Sequence, residues 1–137
     1  MRSRGGRARR AAETAERFEE LARLESFGAS QRLRAAEAAI GAAAEQTRRL
    51  GATGMTPGLR GLLATAGARN LAALDQRRRR LDLEATTRRQ DWERSRQRTR
   101  SLQKLAERIE AAQRAQRRRA EAADLLDVVS SVAVAQS

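Results

Sequence analysis

Arginine is the residue type that offers most chemistry in this sequence. Of 29 basic residues only Lys104 is a lysine, which leaves 28 arginines against 17 acidic residues and a net charge of +12 over 137 residues. Positions 69–100 hold eleven arginines and five acids, and they include the run Arg77–Arg80. Guanidinium groups bind phosphates and carboxylates, so these residues could hold a nucleic acid or an acidic protein.

A solvated helix surface is the third interpretation of the arginine-rich stretch. Four consecutive arginines on a helix point around its whole circumference instead of forming one basic stripe. The sequence also lacks the aromatic residues that interleave with basic ones in single-strand binding sites. A solvated surface and an acidic protein partner are therefore favoured over nucleic acid.

Several residue types that enzymes and metal sites use are missing. The sequence contains no cysteine, histidine or tyrosine, which excludes disulfides, thiolate or imidazole metal ligands, and histidine-dependent nucleophiles. Adjacent acids such as Glu19 and Glu20 point apart on a helix surface. The stretch Gly51–Gly58 lacks the Gly-Lys-Ser/Thr of a phosphate-binding loop. We therefore expect no enzymatic activity, no metal site and no cofactor.

The apolar residues indicate helices with a narrow interface. Hydrophobic residues make up 40% of the chain, but 29 of them are alanine and only 2% of the residues are aromatic. Alanine has little apolar area to bury, and a composition rich in Ala, Arg, Leu, Glu and Gln is typical of coiled coils. The predicted fold is all-α: a long antiparallel two-helix coiled-coil hairpin.

Glycine and proline set the predicted boundaries. Two glycines, Gly51 and Gly54, suit the end of a helix, and Thr56 before Pro57 is typical of an N-cap followed by the first helical residue. The helical hairpin is predicted to cover residues 11–130. The predicted segments in chain order are a disordered basic arm at 1–10, helix one at about 11–50, a turn at 51–57, helix two at about 58–130 and a tail at 131–137.

A heptad pattern predicts which helix faces meet. In the second half of helix one, positions with alternating spacings of three and four are Leu33, Ala36, Ile40, Ala43, Thr47 and Leu50. Upstream, Phe18, Leu21, Leu24 and Phe27 keep spacings of three only, which predicts a phase slip near Gly28. The stripe expected on helix two comprises Leu71, Leu74, Leu81, Ala85, Trp92, Leu102, Leu105, Ile109, Ala112, Ala123 and Leu126, with Arg88, Ser95 and Thr99 at its weak centre.

The unequal helix lengths predict a segment that needs a partner. Antiparallel pairing from the turn leaves helix two without helix one beyond about Ser101. We therefore expect Leu102–Val129 to bind a second copy or another protein. Acid-then-base pairs at i,i+4 are expected along the solvent-facing surface; they are Glu13–Arg17, Glu19–Arg23, Glu45–Arg49, Asp75–Arg79, Glu84–Arg88 and Glu110–Arg114.

Targeting signals are not evident in the sequence. The arginines of Met1–Arg10 are followed by charged residues and not by the apolar stretch of a signal peptide. No window approaches about 18 consecutive apolar residues, so no transmembrane segment is predicted. We expect a cytoplasmic protein.

Five short segments follow one another in a recognisable order. Phe18 and Leu21 form Phe-x-x-Leu near the start of helix one, a Gly-Ala-Thr-Gly-Met-Thr break begins at Gly51, and Leu71-Ala-Ala-Leu74 follows. The last two are Leu102-Gln-Lys-Leu-Ala-Glu-Arg108 and Glu121-Ala-Ala-Asp-Leu-Leu-Asp127. From Phe18 to Asp127 the chain resembles the FliJ family, the coiled-coil component of bacterial flagellar type III export. Leu126–Asp127 stands where the family has a terminal Asp-Glu pair.

This resemblance implies a non-enzymatic function in bacterial flagellum biogenesis, motility and type III secretion. Family members are thought to stand as a stalk in the centre of the hexameric export ATPase, to contact the membrane export gate and to escort substrate chaperones. The residues that would contact the ATPase ring are Phe18, Leu21, Leu102, Leu105, Glu121, Leu125 and Asp127. Those at the tip that would contact the gate are Leu59, Leu62, Leu63, Leu71 and Leu74. The implied location is cytoplasmic and peripheral at the inner face of the cell membrane.

Alternatives remain open on the residues alone. The tip leucines could close the end of the hairpin instead of forming a docking patch, and Trp92 could fill the interface or contact a partner. A basic, nucleic-acid-associated coiled coil and a homo-oligomeric structural coiled coil are the alternative functions.

Overall fold

The chain folds into two α-helices. The computed structural model describes residues 3–136, with α1 at Arg4–Gly51 (48 residues) and α2 at Pro57–Gln136 (80 residues). Within these described residues there is no strand. The predicted all-α fold is therefore confirmed.

The connection between the helices uses the glycine and proline signals of the sequence. The Ala52 N–H donates to the Arg48 carbonyl at 3.2 Å, and the Thr53 hydroxyl donates to the Leu50 carbonyl at 2.7 Å, so the last carbonyls of α1 are satisfied. Gly54 has a φ of 46°, in the left-handed region that favours glycine. The helix α2 begins at Pro57, and the Thr56 carbonyl accepts from the N–H of Arg60 at 2.9 Å.

Both helices extend further than the sequence predicts. The helix α1 begins at Arg4, within the segment predicted to be a disordered arm, and Gly5 is buried. The helix α2 continues to Gln136, through the predicted tail. Met1, Arg2 and Ser137 lie outside the described residues. The first turns of α1 contact α2, since Gly5 lies against Gln113 and Arg9 forms an ion pair with Glu110.

The chain divides into two compact units, each built from both helices. The terminal unit combines α1 through Glu19 with α2 from Ser95 onward. Its polar contacts between the helices pair Arg9 with Glu110, Glu16 with Gln103 and Glu19 with Arg96. Residue numbers rise along α1 while they fall along α2, so the helices of this unit are antiparallel.

The turn unit comprises Glu20–Arg94 and contains the connection. Glu25 pairs with Arg88 at 3.0 Å and Arg32 with Glu84 at 2.8 Å, which again gives antiparallel helices. Near the connection the backbone of α2 approaches the side chain of Thr47 closely, because a Cβ placed on Gly67 would lie 3.1 Å from Cγ2 of Thr47.

Small residues predominate on the α1 side of the interface in the turn unit. Along α1 the buried and half-buried positions with spacings of four and three are Ala22, Ser26, Ala29, Leu33, Ala36, Ile40, Ala43 and Thr47. This heptad pattern is unbroken on both sides of Gly28, so the predicted phase slip is wrong. Upstream of Gly28 the prediction followed the large apolar side chains, whereas the interface follows the small Ala22 and Ser26, which permit close approach of the helices.

The terminal unit has the same kind of interface. Its most buried side chains are small, with 8% of the surface exposed or less, and they are Ala12, Ala15, Thr99 and Ala106. In α2 of the turn unit Ala85 is equally buried. The weak positions of the predicted stripe, Arg88, Ser95 and Thr99, do lie in the interface. The Thr99 hydroxyl donates to the carbonyl of Ser95 at 2.9 Å, which satisfies its polar atom where it is buried.

Candidate functional site

Four large apolar side chains in the first half of α1 lie outside the interface. Phe18, Leu21, Leu24 and Phe27 expose between 50% and 64% of their surface. Phe18 belongs to the terminal unit, and the other three belong to the turn unit. The structure therefore leaves Phe18 and Leu21, both predicted to contact an ATPase ring, available to a partner.

The ring-binding residues predicted on α2 fall into two groups. Leu102 is half-buried in the interface of the terminal unit, and Leu105 is exposed at 48%. Glu121, Leu125 and Asp127 lie in a segment in which every residue from 116 to 136 is exposed. The interface with α1 reaches further than Ser101, because Gln113 lies against Gly5. The segment of α2 that lacks α1 therefore begins near residue 116.

This exposed segment carries one apolar face, which we call the C-terminal stripe. It consists of Leu125, Val128, Val129 and Val132, at the i, i+3, i+4 and i+7 spacing of one helix face, each at least 51% exposed. At 3.6 residues per turn, Leu125 and Val129 lie about 120° to 160° around the helix from Ile109 and Gln113. The C-terminal stripe thus does not continue the interface. The members of the predicted stripe beyond Ile109 are exposed too, so that stripe ends at Ile109; they are Ala112, Ala123 and Leu126.

The tip leucines divide in the same way. Leu63, Leu71 and Leu74 are half-buried in the interface of the turn unit, whereas Leu59 and Leu62 are exposed at 55% and 72%. The structure therefore places part of the set in the interface and leaves the rest exposed. Only Leu59 and Leu62 present most of their surface to a partner.

Ion pairs across the helices replace three of the six pairs expected along them. Glu45–Arg49 and Asp75–Arg79 form as predicted, at 3.3 Å and 3.0 Å. Three of the other predicted glutamates and Arg88 pair across the helices instead, and Arg23 pairs with Glu20 on its own helix; these pairs are Glu19–Arg96, Arg32–Glu84, Glu25–Arg88, Arg9–Glu110 and Glu20–Arg23. Among the described residues Glu13, Arg17 and Arg114 form no ion pair. The sequence could not show which residues pair across the helices, because spacing along the chain identifies only neighbours on one helix.

Two carboxylates titrate below their usual range. The pKa of Glu110 is lowered, mainly because its carboxylate accepts hydrogen bonds from the guanidinium of Arg9, and the pKa of Arg9 is raised for the same reason. The pKa of Glu20 is lowered mainly by its hydrogen bonds from Arg23, whose Nη2 lies 2.6 Å from Oε1. In both pairs the hydrogen bonds hold side chains whose partners the i,i+4 spacing does not predict.

The run Arg77–Arg80 has mixed roles. Nε of Arg78 and Nε of Arg79 both lie within 3.1 Å of the carboxylate of Asp75, and Arg78 is half-buried. Arg77 and Arg80 are exposed and form no ion pair with any residue that the structure describes. The run therefore points in several directions and offers no continuous basic stripe.

A surface groove in the turn unit was not anticipated from the sequence. It has a volume of about 270 Å³ and lies between α1 and α2 beside Phe27 and Trp92. Three arginines and three small or polar residues complete its lining; they are Arg23, Arg34, Arg89, Ser26, Ser30 and Gln31. The feature of the sequence that could have indicated this groove is Ser26 beside Phe27, because a small side chain leaves space next to an aromatic one.

No metal-binding cluster of His, Cys, Asp or Glu occurs in residues 3–136. Over the same residues neither helix contains a stretch apolar and long enough to span a bilayer. Comparisons of the chain with models of known protein families, with curated proteins and with solved structures found no match.

Proposed function

We propose that this chain is a non-enzymatic coiled-coil component of bacterial flagellar type III export that binds the export ATPase ring as a central stalk. The resemblance of its motifs to the FliJ family suggests this function. The structural observation that supports it best is the exposed segment of α2 from residue 116 to 136 with its C-terminal stripe. Aliphatic side chains aligned on one face of a helix are typical of a face that is buried against a partner.

The positions of the charged residues suit contact with more than one subunit. Glu121 lies one turn before Leu125 on the same face, so the two can contact one partner. Asp127 lies about 160° around the helix from Leu125. A helix in the centre of a ring is surrounded by subunits, so residues on opposite faces both find partners there.

The tip would contact the export gate through fewer residues than the sequence suggests. Leu59 and Leu62 are exposed, while Leu63, Leu71 and Leu74 are held in the helix interface. We therefore assign the gate contact to Leu59 and Leu62. In this role the protein would act in the cytoplasm beside the membrane gate, where it would also meet substrate chaperones.

ATPase measurements test the proposal. The purified chain is expected to raise the ATPase rate of its cognate export ATPase and to favour the hexamer, both measured at matched protein concentrations. Leu125→Glu should remove this effect, because it places a charge in the C-terminal stripe. Leu83→Glu is the matched control, since Leu83 is 70% exposed but belongs to neither predicted contact. No change in ATPase rate or oligomeric state with the unmodified chain would contradict the proposal.

A homo-oligomeric structural protein is the second candidate function, because a second copy could also bury the C-terminal stripe. Analytical ultracentrifugation distinguishes the two. A monomer at high protein concentration excludes the homo-oligomer, whereas a stable dimer that Leu125→Glu dissociates would favour it over the ring contact.

A further inference from the structure

The groove beside Trp92 is built from features that together suit one kind of ligand. Its apolar part is formed by Phe27, which is 61% exposed, and by the half-buried Trp92. Ser26 and Ser30 also line the groove, and their side chains are too small to fill it. A volume of about 270 Å³ accommodates one or two apolar side chains.

The charged residues that line the groove all have one sign. Arg23, Arg34 and Arg89 line it, and no carboxylate does. Arg23 is held by Glu20 at 2.6 Å, which fixes its guanidinium. Arg34 and Arg89 form no ion pair with any of the described residues 3–136, so their charges are available to a ligand. Hydrogen bonds between a guanidinium and a carboxylate are among the stronger ones in proteins.

We propose that this groove binds an acidic peptide segment of a partner protein, in which aspartate or glutamate alternates with leucine or phenylalanine. The apolar side chains of the peptide enter between Phe27 and Trp92. Its carboxylates bind Arg34 and Arg89. The site lies wholly within the turn unit and involves none of the residues assigned above to the ATPase ring or the export gate.

Nearby acids favour a peptide over a nucleic acid. Asp91 and Glu93 flank Trp92 on α2, and Glu20 and Glu25 flank Arg23 on α1. A phosphate backbone needs a basic track along several successive phosphates, and here it would pass these carboxylates. A peptide can place its carboxylates at Arg34 and Arg89 alone and leave the flanking acids in water.

The single tryptophan of the chain makes binding directly observable. Because Trp92 is the one fluorophore excited in the tryptophan band, its emission reports on the groove. The probe is a short synthetic peptide that repeats Glu-Leu-Asp-Phe, lacks tryptophan and carries fluorescein for anisotropy. We expect saturable binding that shifts the Trp92 emission at the same peptide concentrations that raise the anisotropy.

Charge reversal distinguishes binding of the peptide in the groove from general attraction of an acidic peptide to a basic protein. The double variant Arg34→Glu with Arg89→Glu is expected to weaken binding about tenfold or more, since each substitution removes a charge-assisted hydrogen bond. The control is Arg98→Glu with Arg100→Glu, which changes the net charge equally at exposed positions outside the groove. Binding by the control should be close to that of the unmodified chain. Circular dichroism checks that both variants keep their helices, and Arg34→Gln with Arg89→Gln repeats the test if reversal disrupts folding.

Four results would overturn the proposal. They are equal weakening by both double variants, undiminished binding of a peptide with serine in place of leucine and phenylalanine, tighter binding of single-stranded oligothymidylate than of the peptide, and no binding at all.

Discussion

Arg9 and Glu110 form a two-point ion pair although 101 positions separate them in the chain. Nε of Arg9 donates to Oε1 of Glu110 at 3.1 Å, and Nη2 donates to Oε2 at 2.9 Å. Each residue directly follows an interface position, Ala8 on α1 and Ile109 on α2. The pair thus borders the interface and fixes the register of the helices in the terminal unit.

This pair predicts a loss of stability in acid. Because the pKa of Glu110 is lowered in the folded chain, its stabilising contribution is full above its ordinary pKa of about 4.3 and is lost as the pH falls through its lowered value. The pKa of Arg9 is raised, so its contribution is complete well below pH 12 and does not change over the acid range. The unmodified chain should therefore melt at a higher temperature than Glu110→Gln near neutrality, and the difference should shrink in acid.

Thermal melts at a series of pH values measure this difference. Glu93→Gln serves as control, because Glu93 is exposed and forms no ion pair among the described residues. A difference in melting temperature between the unmodified chain and Glu110→Gln that stays constant down to the lowest pH would contradict the assigned role of the ion pair.

Enlarging an interface alanine should destabilise the terminal unit. Ala106 is fully buried, so Ala106→Leu forces extra methyl groups between the helices and is expected to cost about 1–3 kcal/mol. Ala111→Leu is the control at an exposed position of the same helix. Urea unfolding measures both free energies. An Ala106→Leu variant as stable as the unmodified chain would show that the helices do not need alanine to approach.

Two nearby positions on α2 should lose different amounts of stability when an aspartate is introduced. Ala85 is 2% exposed, so Ala85→Asp places a carboxylate in the interface of the turn unit and should destabilise it by about 1–3 kcal/mol or more. Leu83 is 70% exposed, so Leu83→Asp should cost about 1 kcal/mol or less, mainly through its lower helix propensity. Chemical denaturation followed by circular dichroism gives both values. The assigned helix faces would be wrong if Leu83→Asp were the more damaging change.

Two glycines near the connection should respond oppositely to alanine. Gly54 has a φ of 46°, and alanine there should cost about 1 kcal/mol because its Cβ crowds the backbone. Gly61 lies inside α2 with no atom near a Cβ, so Gly61→Ala should stabilise by about 0.5–1 kcal/mol. Thermal melts of the two variants test this pair. A stabilising Gly54→Ala would contradict the backbone conformation of the turn.

The candidate sites were only partly accessible to sequence reasoning. The need for a partner near Leu125 follows from the unequal helix lengths, and the structure does expose this segment. The sequence could not show that the C-terminal stripe turns away from the interface, because that depends on the faces that α1 covers. The groove beside Trp92 was missed for a related reason. Its lining joins Arg34 of α1 to Arg89 of α2, and no spacing within one helix brings them together.

The sequence by itself determined that the chain forms two helices, and where the first ends and the second begins. Alanine, arginine, leucine and glutamate favour helix throughout, and the glycines with Pro57 interrupt it at one place, so local backbone preferences suffice. Only the tertiary structure decided which face of α1 is buried upstream of Gly28 and which part of α2 is left exposed. Around Phe27 a stripe of large apolar residues and a stripe of small ones both have helical spacing. The small residues Ser26 and Ala29 pack in the interface because they allow close approach of the helices, which leaves Phe27 outside, and Leu125 is exposed because it lies in the segment of α2 without α1.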